Sequence, residues 1–593
     1  MTAMPLVAHA ASPPDQLVAG TMRALLDRGC SLAEVLAERA AATPDTPAYL
    51  FVDRRQDRVV SYGELHGRAS AFAARLIEHG LAGQPVANLL PTSPEWLFAF
   101  FGAMLAGGVS VPLGAPGSAR AVQRLAGVLK DGGIAACAIT AADADRLKQL
   151  IDPHMLAAFG VLIDPCGLAD AAAVCPPRHG ADMPAVFQYT SGSTSDPKGV
   201  IITHRNFIAN AALIARALAA TFDDKTVSWL PLFHDMGLMT GVVSPMLAGR
   251  PSVLMPPAAF LVRPLLWLQA LARHHGTIAA APNFAYDLCV DRIKPDQIET
   301  LDLSAWRVAV CGAEPVRRET LERFAAHFGA AGFDPRACMP AYGLAEATLF
   351  VSGGPPASGL VCQPADAAHF ARHGRIAAPV PGQPVQTLVS SGIVHDEVEV
   401  RIVDPDRLCA AAPDTVGEIW LRGESVACAY VSATQTAASF AMLADSGDGP
   451  FLRTGDLGVL IDGALYVTGR RKDLLIVNGA NHYPQDIEAS ARESHPACTH
   501  LGGAAVLDET ASRLTIVQEI ARGRDAEAAT AAAAIVEAVF NTHGLAVAEV
   551  LIVAANAVPR TTSGKIQRSA ARAAAASGTL PVLFRWTAAS AAP

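Results

Sequence analysis

The 593-residue chain has eleven cysteines, from Cys30 to Cys498, but no CxxC pair among them. That argues against a zinc site and against a disulfide framework, and it suits a reducing cytoplasm. Charged residues are also few, 17% against 51% hydrophobic, which excludes a disordered chain. Positive charge is in deficit: 46 Lys and Arg against 55 Asp and Glu leave a net charge of −9. Nothing therefore draws the whole chain to nucleic acid or anionic lipid, and any phosphate ligand must be held by a local site. No Lys or Arg precedes Arg23, and the apolar core from Met4 to Val7 is too short for a signal peptide, although Ala8, His9 and Ala10 mimic a cleavage site.

One uncharged stretch, Trp96 to Gly117, is long enough to cross a bilayer, but Gly107, Gly108 and Pro112 divide it. A helix over 94–105 would be only about 18 Å long. The stretch is expected to be buried core, with no transmembrane segment. Mean hydropathy is +0.29, much of it from alanine. The length allows about four ordinary domains and excludes a minimal scaffold. No internal repeat is evident.

Capping boxes at Ser31/Glu34 and Ser61/Glu64 open two early helices, the second ending near Gly80. A strand over 86–90 follows, then Ser93-Pro94 as N-cap and first helical residue, and a strand over 109–113. Strand and helix continue to alternate through 185–189, 206–218, 228–233, 277–281 and 307–311, the mark of a layered α/β domain. From 353 to 388 the pattern dissolves into Gly, Pro and Ala without period. Short strands over 397–404, 417–422 and 464–468 suggest a small β-barrel. A last α+β unit begins near Lys472, with strands near 474–477, 504–507, 514–519 and 549–553 and helices near 485–493 and 526–539. Residues 570–577 read as a helix end and 588–593 as a disordered tail.

Four polar segments carry possible chemistry. The run 189–199, YTSGSTSDPKG, follows a strand and offers backbone N–H groups, hydroxyls and a lysine to a polyphosphate, but it is not a Walker A loop. The run 453–458, RTGDLG, puts a carboxylate in a tight turn suited to two ribose hydroxyls. The run 469–473, GRRKD, lies where the chain changes character, and 560–568, RTTSGKIQR, sets Lys565 in a glycine turn. Each alone is as readily a solvated turn, a turn aspartate, a basic linker or a surface lysine.

In this order and spacing, the segments resemble the adenylate-forming superfamily of acyl-CoA synthetases, luciferases and peptide-synthetase adenylation domains, from about Ser31 to Arg568. Within it, WLPLFHDMGL at 229–238, APNFAYDLC at 281–289, AYGLAEATL at 341–349, NHYPQDIE at 481–488 and the irregular stretch 353–388 resemble the fatty acyl-AMP ligases. Two departures stand out: Ala480 where that branch usually has arginine, which bears on carrier-side contacts, and Ser391 where it often has cysteine. Neither is expected to touch the core chemistry.

The resemblance implies an N-terminal adenylation domain over 1–471, with an insertion at about 353–388 and a β-barrel subdomain at about 389–471. A small mobile C-terminal domain over 472–593, hinged at Lys472, would carry the catalytic lysine. It implies ATP and Mg²⁺ as cofactors. Lys565 would reach the carboxylate and the α-phosphate, with His234 at the mouth of the acyl pocket, although a histidine in that place can equally be ordinary core. Thr190, Ser191, Gly192, Ser193, Thr194 and Lys198 would cradle the leaving phosphates, and Glu346 would hold Mg²⁺. Gly312, Ala313, Glu314, Ala341, Tyr342 and Gly343 would line the adenine pocket, with Asp456 and Arg470 at the ribose. The implied reaction is conversion of a fatty acid to acyl-AMP, then transfer to the phosphopantetheine thiol of a separate acyl carrier protein or polyketide synthase. The alternatives are an acyl-CoA synthetase and, from another class, a non-catalytic acyl- or nucleotide-binding module. The intact Lys565, Glu346 and Asp456 speak against the last.

Overall fold

The computed structural model describes residues 18–53, 56–151, 153–168, 174–176, 180–190, 197–508, 513–561 and 565–588. The reading of the amino terminus and that of the tail beyond 588 fall outside these residues.

Local signals act as their chemistry requires. Ser31 caps the helix Leu32–Ala42 with both halves of a capping box. Ser61 caps Tyr62–Glu78 through the Glu64 N–H. Ser93 caps Pro94–Leu105, with proline at the start of the helix, and every residue from Trp96 to Leu105 is buried. That helix feeds the buried strand Val109–Pro112. Among the described residues no helix is long and apolar enough to cross a membrane.

Two sheets form the body. Six strands run in the order Val161–Ile163, Ala136–Ala138, Pro85–Asn88, Val109–Pro112, Pro184–Thr190 and Lys198–Thr203, parallel except for the last. The second sheet has eight strands, with Ile278–Ala281, Val308–Cys311 and Cys338–Gly343 parallel and adjacent. Parallel strands release their loops at one edge, so these strands present their carboxyl ends together. One wall is stiffened by an aromatic cluster: Trp267 lies 5.6 Å from Phe260, 6.0 Å from Tyr286 and 5.2 Å from Trp306, all edge-on.

The expected barrel region is a six-stranded antiparallel sheet within 398–470. The last unit is a four-stranded sheet over 498–587, with its own core around Ile487, Ile516, Ile535 and Val550.

Four local expectations differ from the structure. The segment 453–458 is no tight turn; it lies inside the strand Phe451–Ile461. Its threonine and glycine read as a turn, but its neighbours pair on both sides. The stretch 353–388 is not patternless: Cys362–Asp366 and Val385–Val389 form a hairpin around the helix Ala367–His373. Its strands are short and half-exposed, so no alternation shows. The strand expected over 228–233 is Thr226–Ser228 only, because Pro231 cannot donate to a ladder. The edge strand Val582–Thr587 was not anticipated.

Trp267→Ala removes a fully buried indole from four aromatic neighbours. The expected loss is about 3–5 kcal/mol, read as a fall in thermal midpoint against Leu583→Ala at the exposed edge.

Candidate active site

A single cleft of 2840 Å³ gathers residues from both main sheets, the antiparallel sheet and the last unit. Every described candidate residue lines it: Thr190, Lys198, His234, Glu346, Lys472 and Lys565, the residues 312–314 and 341–343, and Asp456 with Arg470. Ser191, Gly192, Ser193 and Thr194 lie outside the described residues.

Two close backbone approaches line the cleft, one between parallel strands and one within an antiparallel pair. A Cβ on Gly312 would come 2.8 Å from the Ala341 carbonyl, and one on Gly343 1.8 Å from the Leu349 carbonyl. Only glycine lets the chain turn there against its neighbour. Tyr342 stands between them and donates its hydroxyl to Asp456 Oδ2 at 2.8 Å. Arg470 Nε donates to the other oxygen, Oδ1, at 3.1 Å. Tyr342 of the candidate adenine set and the candidate ribose residues Asp456 and Arg470 are thus one hydrogen-bonded unit. Asp456 in turn holds the Arg470 guanidinium above its ordinary value.

Lys198 begins the strand that follows the polar run, and its ammonium lies 6.0 Å from the Tyr430 ring. The Tyr430 hydroxyl donates to Glu346 Oε1 at 2.9 Å. Burial pushes the Glu346 carboxyl up, and the Tyr430 bond opposes this. A cation would reverse that shift. Among the described residues no three acidic, His or Cys side chains group to hold a metal. A lone carboxylate beside a phosphate-binding strand fits Mg²⁺, which takes its other ligands from phosphate and water. Tyr430 was not foreseen; only its place beyond the GEIWLRG strand hints at it.

His234 caps the short helix Asp235–Leu238. Its Nδ1 lies 2.6 Å from Asp235 Oδ1, which also accepts the Met236 N–H at 2.7 Å. Burial alone would raise the Asp235 carboxyl, but His234, Lys565 and that N–H hold it below its usual value. Asp235 too was missed, though HD directly before a helix start is the available signal.

Lys565 lines the cleft and is bonded twice to Thr561. Its N–H donates to Thr561 Oγ1 at 3.1 Å, and its carbonyl accepts the Thr561 N–H at 2.8 Å. Arg568 anchors this segment, donating to both oxygens of Glu488 at 2.7 Å and to Asp473 at 3.2 Å. Burial and Arg470 push the Lys565 amine down, while Asp235, Glu314 and Asp456 hold it up. Burial also lowers Lys472, which lies in the short turn Arg471–Asp473.

The hairpin of the 353–388 stretch meets the last unit. Phe370 stacks on Tyr483 at 6.0 Å, and Gln386 Nε2 donates to Asp486 Oδ2 at 3.3 Å. Burial pushes the Asp486 carboxyl up to about 6. Ala480 lies on the adjoining strand Ala480–His482. Ser391 is buried and lines the cleft, because residues 390–394 run between the strands Phe350–Gly353 and Ala464–Arg470.

The AMP-binding enzyme family matches residues 36–431, and a Disco-interacting protein 2-like AMP domain matches 472–583. The chain is 39% identical to a medium-chain-fatty-acid–[acyl-carrier-protein] ligase of Moorena producens, over 93% of this chain and 96% of that one. It is 36% identical to a long-chain-fatty-acid–AMP ligase of Mycobacterium tuberculosis, over 91% and 96%. Among solved structures, it is similar to a fatty acyl-adenylate ligase from a study of the E. coli and L. pneumophila enzymes, with TM-score 0.83 and 33% identity over 92% and 98%. It is also similar to the L. pneumophila enzyme in complex with acyl adenylate and pyrophosphate, with TM-score 0.73 and 34% identity over 94% and 98%.

The balance at Lys565 is testable. Asp235→Asn removes one of the anions that hold the ammonium up, so its amine should deprotonate at lower pH than in the parent. Competitive acylation read by mass at Lys565 across a pH series should show labelling begin earlier; an unmoved profile would disprove the coupling.

Proposed function

The chain belongs to the fatty acyl-AMP ligases of the AMP-binding family, and from that membership we propose that it activates a fatty acid with ATP and passes the acyl group to a separate carrier protein. The observation that carries this reading is the meeting of Lys565, from the last unit, with Asp456, Glu346, Tyr342 and His234 in one cleft.

A fatty carboxylate is ionised at neutral pH, so the first step needs no general base. One carboxylate oxygen attacks the α-phosphorus, a C(O)–O–P link forms, and the bond from the α-phosphorus to the bridging oxygen breaks, with pyrophosphate leaving. The difficulty is bringing one anion up to another, which oriented cations in a water-poor cleft relieve. Lys565 faces both reacting groups and His234 the carboxylate. Lys198 and Thr190 hold the departing phosphates together with residues 191–194. Tyr342, Gly312, Ala313, Glu314, Ala341 and Gly343 enclose the adenine, and Asp456 with Arg470 takes the ribose hydroxyls. Glu346 holds Mg²⁺, which would supply charge neutralisation at the phosphates. In the second step a phosphopantetheine thiol attacks the acyl carbonyl, its proton is lost, and AMP leaves.

We assign residues 1–471 and 472–593 to two domains hinged at Lys472. The separate core of the 498–587 sheet and the family match that starts at 472 support this. The second domain delivers Lys565 for adenylation and then must move to admit the thiol. Carrier transfer is favoured over free coenzyme A by the hairpin's grip on the second domain through Phe370–Tyr483 and Gln386–Asp486.

Incubation with ATP, Mg²⁺ and mixed fatty acids, with and without coenzyme A, should accumulate acyl-AMP that coenzyme A does not consume, as resolved by mass. Prompt acyl-CoA would favour a synthetase. Lys565→Ala should lower pyrophosphate release at least about 100-fold while leaving ATP binding intact, and near-parental release would remove its assigned role. Replacing 362–389 by a short linker should raise acyl-CoA formation; a folded variant that still ignores coenzyme A would overturn the tether.

A further inference from the structure

The segment that presents Asp456 is held by a group outside the assigned roles. Trp420 pairs with Arg453 and Glu418 with Leu457, so Thr454, Gly455 and Asp456 all face the single Ile419. Three residues against one form a bulge larger than the usual two-against-one kind, which re-aims a side chain but strips backbone groups of their ladder partners. Gly455 takes φ +71°, in the left-handed region. Its N–H finds Glu418 Oε1 at 3.2 Å. The other oxygen, Oε2, accepts the Arg453 fork from Nε at 3.2 Å and Nη2 at 2.7 Å. Arg453 lies 5.5 Å from the ring of Trp420, which is fully buried. Inside the bulge, Thr454 Oγ1 donates to the Ile419 carbonyl at 2.7 Å and accepts the Asp456 N–H at 3.0 Å.

We infer that Glu418 is a positioning residue for the nucleotide: with Arg453 it clamps both sides of the bulge and so fixes the direction in which Asp456 meets the ribose hydroxyls. The Glu418 side chain is 3% exposed. A buried carboxylate is costly unless its charge and lone pairs are used. Here both oxygens are spent on the two residues that precede Asp456 by three and by one. Ordinary strand pairing needs neither bond, whereas aiming a carboxylate at a fixed point needs both. The inference rests on the ribose role proposed for Asp456.

The test compares ATP with 2′,3′-dideoxy-ATP in pyrophosphate release by the full chain. Glu418→Gln keeps an acceptor for the Gly455 N–H but loses the charged fork. It should raise KM for ATP about tenfold, with kcat and the fatty-acid KM within about twofold, the mark of lost uniform binding. With dideoxy-ATP, which has no hydroxyls to meet, variant and parent should not differ. Arg453→Lys retains charge without the fork and should show the same pattern more weakly, which keeps the test open if Glu418→Gln fails to fold. Equal losses with both nucleotides, or an unchanged KM for ATP in a folded variant, would overturn the inference. Asp456→Asn is run in parallel: if it still discriminates the two nucleotides as the parent does, the ribose assignment itself falls, and this inference with it.

Discussion

The cleft is organised around one electrostatic balance, that of Lys565. Its ammonium is drawn into a site where burial and the Arg470 guanidinium both disfavour charge, and three carboxylates, Asp235, Glu314 and Asp456, oppose them. Two anions will react only if a cation stands between them, and a cation will stay there only if the protein supplies anions of its own. Each of those anions must then be kept from repelling the substrates. Asp235 is covered by His234 and the Met236 N–H, and Asp456 by Tyr342 and Arg470. All three carboxylates line the cleft, but Asp235 and Asp456 reach it with part of their charge already met by these partners.

The fold serves this balance by drawing on distant parts of the chain. Asp235 follows a parallel strand of the eight-stranded sheet, Asp456 sits on a bulge of the antiparallel sheet, and Lys565 comes from the last unit. The lysine loop would gain little from its own short contacts. Arg568 ties it to Glu488 on the helix Pro484–Glu493 and to Asp473 beside the proposed hinge. The position of Lys565 thus depends on the orientation of the whole unit, and a rotation about residue 472 would withdraw the cation without unfolding its loop.

Much of the fold was legible because its signals are local. Ser31, Ser61 and Ser93 cap the helices expected of them, and Gly107, Gly108 and Pro112 divide the apolar run as expected. The candidate site was legible as residue types at fixed spacing, and the described members converge on one cleft. Illegible were contacts that depend on a partner far along the chain. Tyr430 holds Glu346 from 84 positions away, and Glu418 holds Gly455 from 37. Turn chemistry also misled at 453–458, where glycine and threonine make a bulge because both neighbouring strands hold the segment in their ladders. That Ser391 lines the cleft was equally illegible, because only the crossing at 390–394 brings it there.

The hairpin at 362–389 is where fold and proposed specificity meet. Its helix carries Phe370 to Tyr483, and its second strand carries Gln386 to Asp486, so it grips the unit that bears Lys565 at two points. The hydrogen bond is a single neutral-donor contact worth about 1 kcal/mol, and the aromatic pair adds about 1 kcal/mol beyond the burial of Phe370 and Tyr483 in their small core cluster. Two localised contacts would suit a restraint on a unit proposed to move during turnover, because they bias an orientation without locking it. A carrier protein brings binding surface of its own, and that binding can offset a bias of this size. Free coenzyme A has far less surface with which to do so. On the proposed reading, a restraint of this kind would separate the two thiols by what accompanies them, with no need for the cleft to distinguish their identical reactive ends.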